Sequence, residues 1–277
     1  MPHFMTMTPI PSASTRTDVH SIAIEGADAI AFAQSQFSSD VGSLQSGAWQ
    51  FSAWLDPQGR VRSLFHLARL SDDRLLLILR GGDATDMSNA LRRFVFRSKV
   101  SITPRTGLTL TDAPALPVHT LAFEDEDLVL GCGDHSVRLS AMREGDSSWR
   151  LLQVRAGWPW LPDALQGALL APSLSLMRLQ AASLDKGCYP GQEIVARLHY
   201  RGGNKRHMHS VVLSQWTACG TILKTADDVT IQLLNVATGD AAVEALAVIP
   251  DDASHNASDS LISHNGLSIE IRKTWDA

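Results

Sequence analysis

Apolar positions in the first hundred residues recur with two different periods, and the switches between them mark the elements. Ile22 and Ile24 alternate with other residues as one face of a strand, and after Gly26 the positions Ala29, Phe32, Ala33 and Phe37 fall at helical spacing. Gln50 to Leu55 and Arg60 to Leu67 flank the turn Asp56-Pro57-Gln58-Gly59, which predicts a hairpin. Leu75 to Leu79 reads as a further strand. Beyond Gly81-Gly82, Asp83 or Thr85 is placed to cap a helix with Met87, Leu91 and Phe94 on one face, and Lys99 to Thr103 reads as strand again. This order predicts helices packed on an antiparallel sheet, an α+β unit.

A second such unit follows. Short strands are expected at Leu108 to Leu110, Thr120 to Phe123, Leu128 to Cys132 and Val137 to Ser140, with a longer one at Trp149 to Arg155 before Gly157-Trp158-Pro159. Trp158 and Trp160, set among prolines, read as packing anchors. Pro172 limits Ala164 to Leu179 to a short helix at most. Ser210 to Leu213, Gly220 to Lys224, Val229 to Leu234, Ala242 to Val248 and Leu267 to Arg272 are short strands between turn residues, which predicts a small antiparallel barrel or sandwich without a helix. The expected organisation is a mobile Ser-, Thr- and Pro-rich tail at residues 1–19, α+β units at 20–106 and 107–206, and a C-terminal β-barrel at 207–277.

With 277 residues, 44% hydrophobic and 19% charged, the composition is that of an ordinary globular protein. The three cysteines, Cys132, Cys188 and Cys219, are far apart, which predicts neither a disulfide framework nor a self-contained metal site and implies a reducing, cytoplasmic setting. No apolar run approaches the roughly 20 residues that span a bilayer, so no membrane association is expected.

One stretch demands a chemical explanation: Lys186 to Arg206, KGCYPGQEIVARLHYRGGNKR. Gly187, Tyr189, Pro190 and Gly191 make a tight turn around Cys188, and from Gln192 the pattern becomes that of a short helix. Cys188 then lies just ahead of a helix N-terminus and two residues from Lys186, and both a helix dipole and a cation favour the thiolate. This arrangement reads either as a reactive cysteine or as a small side chain held for shape. Glu193 opposes the thiolate unless it caps the helix or pairs with Arg197. Downstream, Arg197, Arg201, Lys205 and Arg206 accompany His199, His207 and His209 with no acid from Ile194 to Ala226. On a chain of net charge −5, this run points to an anionic ligand or partner, or else to a solvated face. It lacks interleaved aromatics, so direct nucleic-acid binding is not expected.

The run KGCYPGQEIVAR followed by RGGNKR resembles the signature of the YgfZ family, folate-binding proteins linked to iron–sulfur cluster maintenance and related in fold to the glycine-cleavage aminomethyltransferase. IEGADAIAFAQSQFSSDV, LDPQGRV, RRFVFRSKVSI and VRAGWP carry the resemblance more weakly through the first two units. It implies a three-domain ring of two ferredoxin-like α+β units and a C-terminal β-barrel around a folate pocket. It further implies a functional cysteine, here Cys188 within Lys186, Gly187, Tyr189, Gly191, Gln192 and Glu193. A folate-contacting tryptophan of the family matches Trp149. The basic run, Arg197 and Arg201 included, would meet the glutamyl carboxylates of tetrahydrofolate or another folate. The family's second folate-contacting aromatic aligns with His20. Ser63 and Leu64 stand where the transferases carry an acidic residue, and Arg155 where they carry a glutamate. Without that carboxylate the aminomethyl transfer lacks its proton acceptor. An Asn and a Gly pair are usual in the family where this chain has Ser175, Gln180 and Ala181, so a different backbone is expected there.

The resulting expectation is a folate-binding accessory factor for iron–sulfur protein assembly or repair. Its partners would be iron–sulfur client or assembly proteins, with an effect on tRNA modification through such a client. A folate-dependent one-carbon transferase and a non-catalytic scaffold docking an acidic partner are the alternatives.

Overall fold

The computed structural model describes residues 17–141, 144–224, 229–256, 261–264 and 266–277; most of the expected tail, residues 1–16, lies outside them. The first strand, β1 (Thr17–Glu25), is followed by α1 (Ala29–Gln36), β2 (Ala48–Leu55), β3 (Val61–Ser71), β4 (Arg74–Leu79), α2 (Ala84–Arg92) and β5 (Ser101–Ala113). β1 thus takes in Thr17 to Val19, assigned to the tail from sequence. Asp83 caps α2 as expected, its carboxylate accepting from the amides of Thr85 and Asp86. Phe94 does not join the buried face of α2; it lies beyond the helix end and is half exposed.

The second unit continues with β6 (Leu121–Glu124), β7 (Asp127–Gly131) and β8 (Ser136–Ala141). All eight strands form one antiparallel sheet in the order β2-β3-β4-β1-β5-β8-β7-β6. β5 pairs with β1 from Ser101 to Leu110 and with β8 from Leu108 to Ala113, so the expected boundary at 106/107 falls inside a shared strand. The sheet curls until its outer strands meet: Trp49 donates to the His119 carbonyl and Leu121 to that of Gly47, both at 3.0 Å. Closure at that point protects edges that would otherwise stay unpaired.

The expected strand at Trp149 to Arg155 is a helix, α3 (Trp149–Arg155). Trp149, Gln153 and Val154 are its buried residues, a helical spacing, and the start is capped from outside the local sequence. The Asp112 carboxylate on β5 accepts from the backbone amides of Ser148 at 2.9 Å and Trp149 at 2.8 Å. These helix-terminal donors lack intrahelical partners, and a carboxylate satisfies them. Two single 3-10 turns, at 163–165 and 171–174, then lead to α4 (Gln192–Arg201).

The C-terminal unit is a six-stranded antiparallel sheet of β9 (Arg206–Leu213), β10 (Ile222–Lys224), β11 (Thr230–Thr238), β12 (Val243–Pro250), β13 (Leu261–His264) and β14 (Leu267–Thr274). Its order is β10-β11-β12-β9-β14-β13. It does contain a helix, the short α5 (Asp251–Asn256) after Pro250. The largest apolar cluster joins the two sheets, with Trp49, Phe51 and Leu64 from the first and Trp149 from α3 against Met208, Leu234 and Leu246 from the second and Trp275 just beyond β14. α1 and α2 cover the opposite face of the first sheet. The α+β architecture is as expected, with the first two units fused into one curled sheet. Among the described residues no helix is long and apolar enough to cross a membrane.

Candidate functional site

Glycine packing holds the Cys188 turn against the β2–β3 hairpin. Gly191 precedes α4 with φ +80°, and a Cβ there would stand 2.5 Å from the Asp56 carbonyl oxygen and 2.9 Å from Gly59 Cα. Gly59, with φ +75°, faces Ile194 of α4 just as closely. Asp56 shapes the hairpin by accepting from the amides of Gln58 and Arg60, both at 2.9 Å. The LDPQGRV and KGCYPGQE segments are therefore two halves of one contact.

A second clamp lies on the other side. Ser38 Oγ donates to the Ala181 carbonyl at 2.6 Å, and the Ser183 amide donates to the Ser38 carbonyl at 2.8 Å. Lys186 Nζ donates to the Phe37 and Ser39 carbonyls, both at 2.7 Å, and lies 5.2 Å from the Tyr189 ring centroid. Its ammonium thus closes the end of α1, a favourable place for a cation. Lys186 thereby ties the Cys188 turn to the corner after α1. Burial pulls its pKa down from an ordinary 10.5 to about 8, despite the opposing effect of Asp40. Between those two values the unfolded chain holds more protons than the folded one, so the Lys186 contribution to stability rises with pH across about 8 to 10.5. Urea midpoints of the native chain should therefore gain on those of Lys186→Met as pH increases through this window. A constant difference would refute the linkage.

Cys188 itself is exposed, while Tyr189 is buried with its pKa pushed up to about 12. The thiol opens on a cleft of about 500 Å³ shared with Pro57, Leu184, Gln192, Glu193 and Tyr200. Gln192 Nε2 reaches back to the Lys186 carbonyl at 3.4 Å, and Gly187 has open space around it. Arg197 and Arg201 lie exposed on α4. Arg206, His207 and His209 instead serve the C-terminal sheet, bonding to the Thr230 carbonyl, Asp251 and Thr274.

The other expected ligand residues lie elsewhere. Trp149 lines a separate cavity of about 230 Å³ between α3 and β11, with Arg150, Trp160, Cys219 and Asn235. Trp149 is 1% exposed, so it forms wall rather than a free stacking face; its ring lies 5.8 Å from that of Trp160, and its buried indole N–H has no hydrogen-bond partner among the described residues. Trp160 is both the packing anchor expected from sequence and part of this wall. Arg197 and Arg201 do not line this cavity. His20 faces Asp83 at 3.3 Å; Asp83 belongs to a further cavity with Trp54, Arg62 and Ser63. The structure therefore brings the Cys188 motif together but separates it from Trp149 and His20. Arg80, Arg150 and Asn235 were missed from sequence. The one available signal was a lone arginine ending the apolar run LLLIL before two glycines.

Two of the three positions where the resemblance puts an Asn and a Gly pair are left-handed here. Ser175 and Gln180 adopt φ of +56° and +53°, a left-handed conformation that costs a side-chain-bearing residue about 1–2 kcal/mol. Gln180 is exposed, so Gln180→Gly should raise the unfolding free energy by about 0.5–1 kcal/mol in a thermal or urea melt. A loss of stability would show that no strain resides there.

No family model matches the sequence. An uncharacterized protein of Haemophilus influenzae is 32% identical over 69% of this chain and 70% of its own length. The tRNA-modifying protein YgfZ of Sodalis glossinidius is 23% identical over 84% of this chain and 87% of that protein; its namesake in Edwardsiella ictaluri is 29% identical over 67% and 66%. The chain belongs to the YgfZ family. Among solved structures, the glycine cleavage system aminomethyltransferase T from Bartonella henselae superposes with a TM-score of 0.70 over 92% of this chain and 84% of that one, at 13% identity. That likeness establishes the shared fold. Against the YgfZ signature, the glycine contacts explain the KGCYPGQE spacing: Gly191 must be bare, and the residues ahead of it must reach the corner after α1.

Proposed function

We propose that the chain is a folate-binding accessory factor for the assembly or repair of iron–sulfur proteins, with Cys188 as its acting thiol. The observation that carries this reading is an exposed thiol in an open cleft, on a turn clamped from two sides. A single thiol is too few ligands to hold a cluster alone, so Cys188 acts on a cluster or client shared with another protein. An influence on tRNA modification, the activity named for the relatives, then passes through an iron–sulfur client.

The cavity between α3 and β11 suits a pterin. Trp149 and Trp160 supply aromatic wall, the Trp149 N–H is an unused donor, and Asn235 and Arg150 supply polar groups. Folate would be held there as a bound ligand that biases the contact between the two sheets. Aminomethyl transfer is disfavoured: Ser63 offers no carboxylate, and Arg155 is committed to Glu244 at 2.5–3.1 Å.

Calorimetric titration with tetrahydrofolate on the native chain and on Val236→Trp, which fills the cavity, tests the ligand. Binding should weaken at least about tenfold in the variant, as when a site loses its space for the ligand. No heat from the native chain removes folate. Cys188→Ser, in cells lacking the native chain, should lower iron–sulfur enzyme activity; normal activity removes the thiol.

A further inference from the structure

The segment joining α2 to β5 displays two aromatic rings to solvent. Phe96 is 85% exposed and Phe94 50%, although burying such rings is strongly favourable. The display is rigid. Val95 packs inward against the core under the helices, and Arg92 donates to the Ile102 carbonyl at 2.6 Å. At the far end the Lys99 amide donates to the Asp28 carboxylate at 2.7 Å. The rings therefore stand out because both ends of the segment are fastened.

Their surroundings are cationic. Arg93, Arg97 and Lys99 are exposed beside them, and no Asp or Glu occurs between Asp86 and Asp112. Arg97 lies 5.6 Å from the Phe96 centroid. Phe94 meets Trp54 edge-on at 6.4 Å, and Arg62 stacks over that indole at 4.4 Å. Trp54 also lines the adjoining cavity of about 260 Å³, and its buried N–H has no hydrogen-bond partner among the described residues. Two apolar anchors, a cationic rim and an unused buried donor next to a guanidinium thus occupy one face.

From this face we infer that the Phe94–Phe96 segment docks an acidic polypeptide segment of a partner protein. The partner's apolar side chains cover the two rings, and its carboxylates meet the exposed Arg93, Arg97 and Lys99 beside them. A phosphate backbone fits less well. Asp83 and Asp86 line the cavity that adjoins the strip at Trp54, so an extended polyanion running past that end meets repulsion, whereas a short segment with apolar anchors stays on Phe94 and Phe96. Residues 1–16 contain no acid and complement the strip poorly, and a second copy would bring its own negative charge to the same short strip.

The test measures fluorescence anisotropy of a labelled peptide of repeating Glu-Glu-Leu-Leu units against the full chain. Phe96→Ser with Arg97→Glu is the variant, and labelled oligouridylate is the competing probe. Because Phe96 and Arg97 are exposed, the variant should melt as the native chain does. The peptide should bind the native chain, weaken with added salt, and lose about tenfold or more in affinity on the variant, as when an interface anchor is truncated. Four outcomes each overturn the inference: no peptide binding, equal binding to both chains, preference for oligouridylate, or self-association of the native chain that the variant abolishes. Enhanced peptide binding on removal of residues 1–16, with no binding before, would assign the face to the chain's own terminus and overturn it too. Folate titration and Cys188 activity are independent of this face, so its failure leaves them standing.

Discussion

Replacing Arg80 with methionine is expected to lower the unfolding free energy by about 2–5 kcal/mol, since each buried acceptor left without a donor costs about 1–3 kcal/mol. Arg80 is fully buried, and no carboxylate pairs with it among the described residues. Its guanidinium instead donates to the Pro159 carbonyl at 2.8 Å, the Trp158 carbonyl at 3.0 Å and Gln153 Oε1 at 2.9 Å, and approaches His66 Nε2 at 2.9 Å. It also lies 4.8 Å from the Trp160 centroid. Burial disfavours both charges, depressing the pKa of His66 well below its usual range and that of Arg80 as well, so His66 stays a neutral acceptor. Methionine fills much of the space and takes the guanidinium donor from the Pro159 carbonyl and His66 Nε2, while the Trp158 carbonyl keeps Asn235 Nδ2 at 3.3 Å and Gln153 Oε1 keeps Trp160 Nε1 at 3.4 Å. The segment from Trp158 to Trp160 would lose its tie to β4, and with it one wall of the α3–β11 cavity. Urea denaturation of the variant measures the loss. A change below about 1 kcal/mol would mean that relief from desolvation cancels the lost bonds, as happens for some buried charges.

Gly191→Ala is expected to cost about 2–4 kcal/mol, combining left-handed strain with backbone displacement. The new methyl group would stand 2.5 Å from the Asp56 carbonyl oxygen, and the hairpin tip is itself held by the Asp56 side chain. The turn and the hairpin would have to part, and the alkylation rate of Cys188 should change with them. Gly187→Ala is the control. Nothing lies within 4 Å of its added methyl, so it should stay within about 1 kcal/mol of the native chain. Equal losses in the two variants would show that general flexibility, rather than the Gly191–hairpin contact, sets the stability of the turn.

Nothing in the string of residues distinguishes those two glycines. Both flank Cys188 in a motif rich in turn formers; what separates them is a hairpin more than 100 residues earlier in the chain. The same holds for Lys186. Sequence proximity assigned its charge to Cys188, whereas the side chain reaches the carbonyls that end α1, because a helix C-terminus offers unsatisfied acceptors and the solvent-exposed thiol offers little.

What the sequence determined alone is what depends on near neighbours. The hairpin around Asp56 and Gly59, the Asp83 cap, the turn at Cys188 and the start of α4 follow from residues within a few positions of one another, where local hydrogen bonds and backbone preferences decide. Trp149 to Arg155 became helix because Asp112, on a distant strand, caps it, which outweighs the local β preference of its large apolar side chains. Arg80 was buried because a ring of distant carbonyls replaces its water. Phe94 and Phe96 were left outside because the chain is fastened at Arg92 and Lys99. Each of these outcomes turns on a partner far along the chain, and only the folded arrangement supplies it.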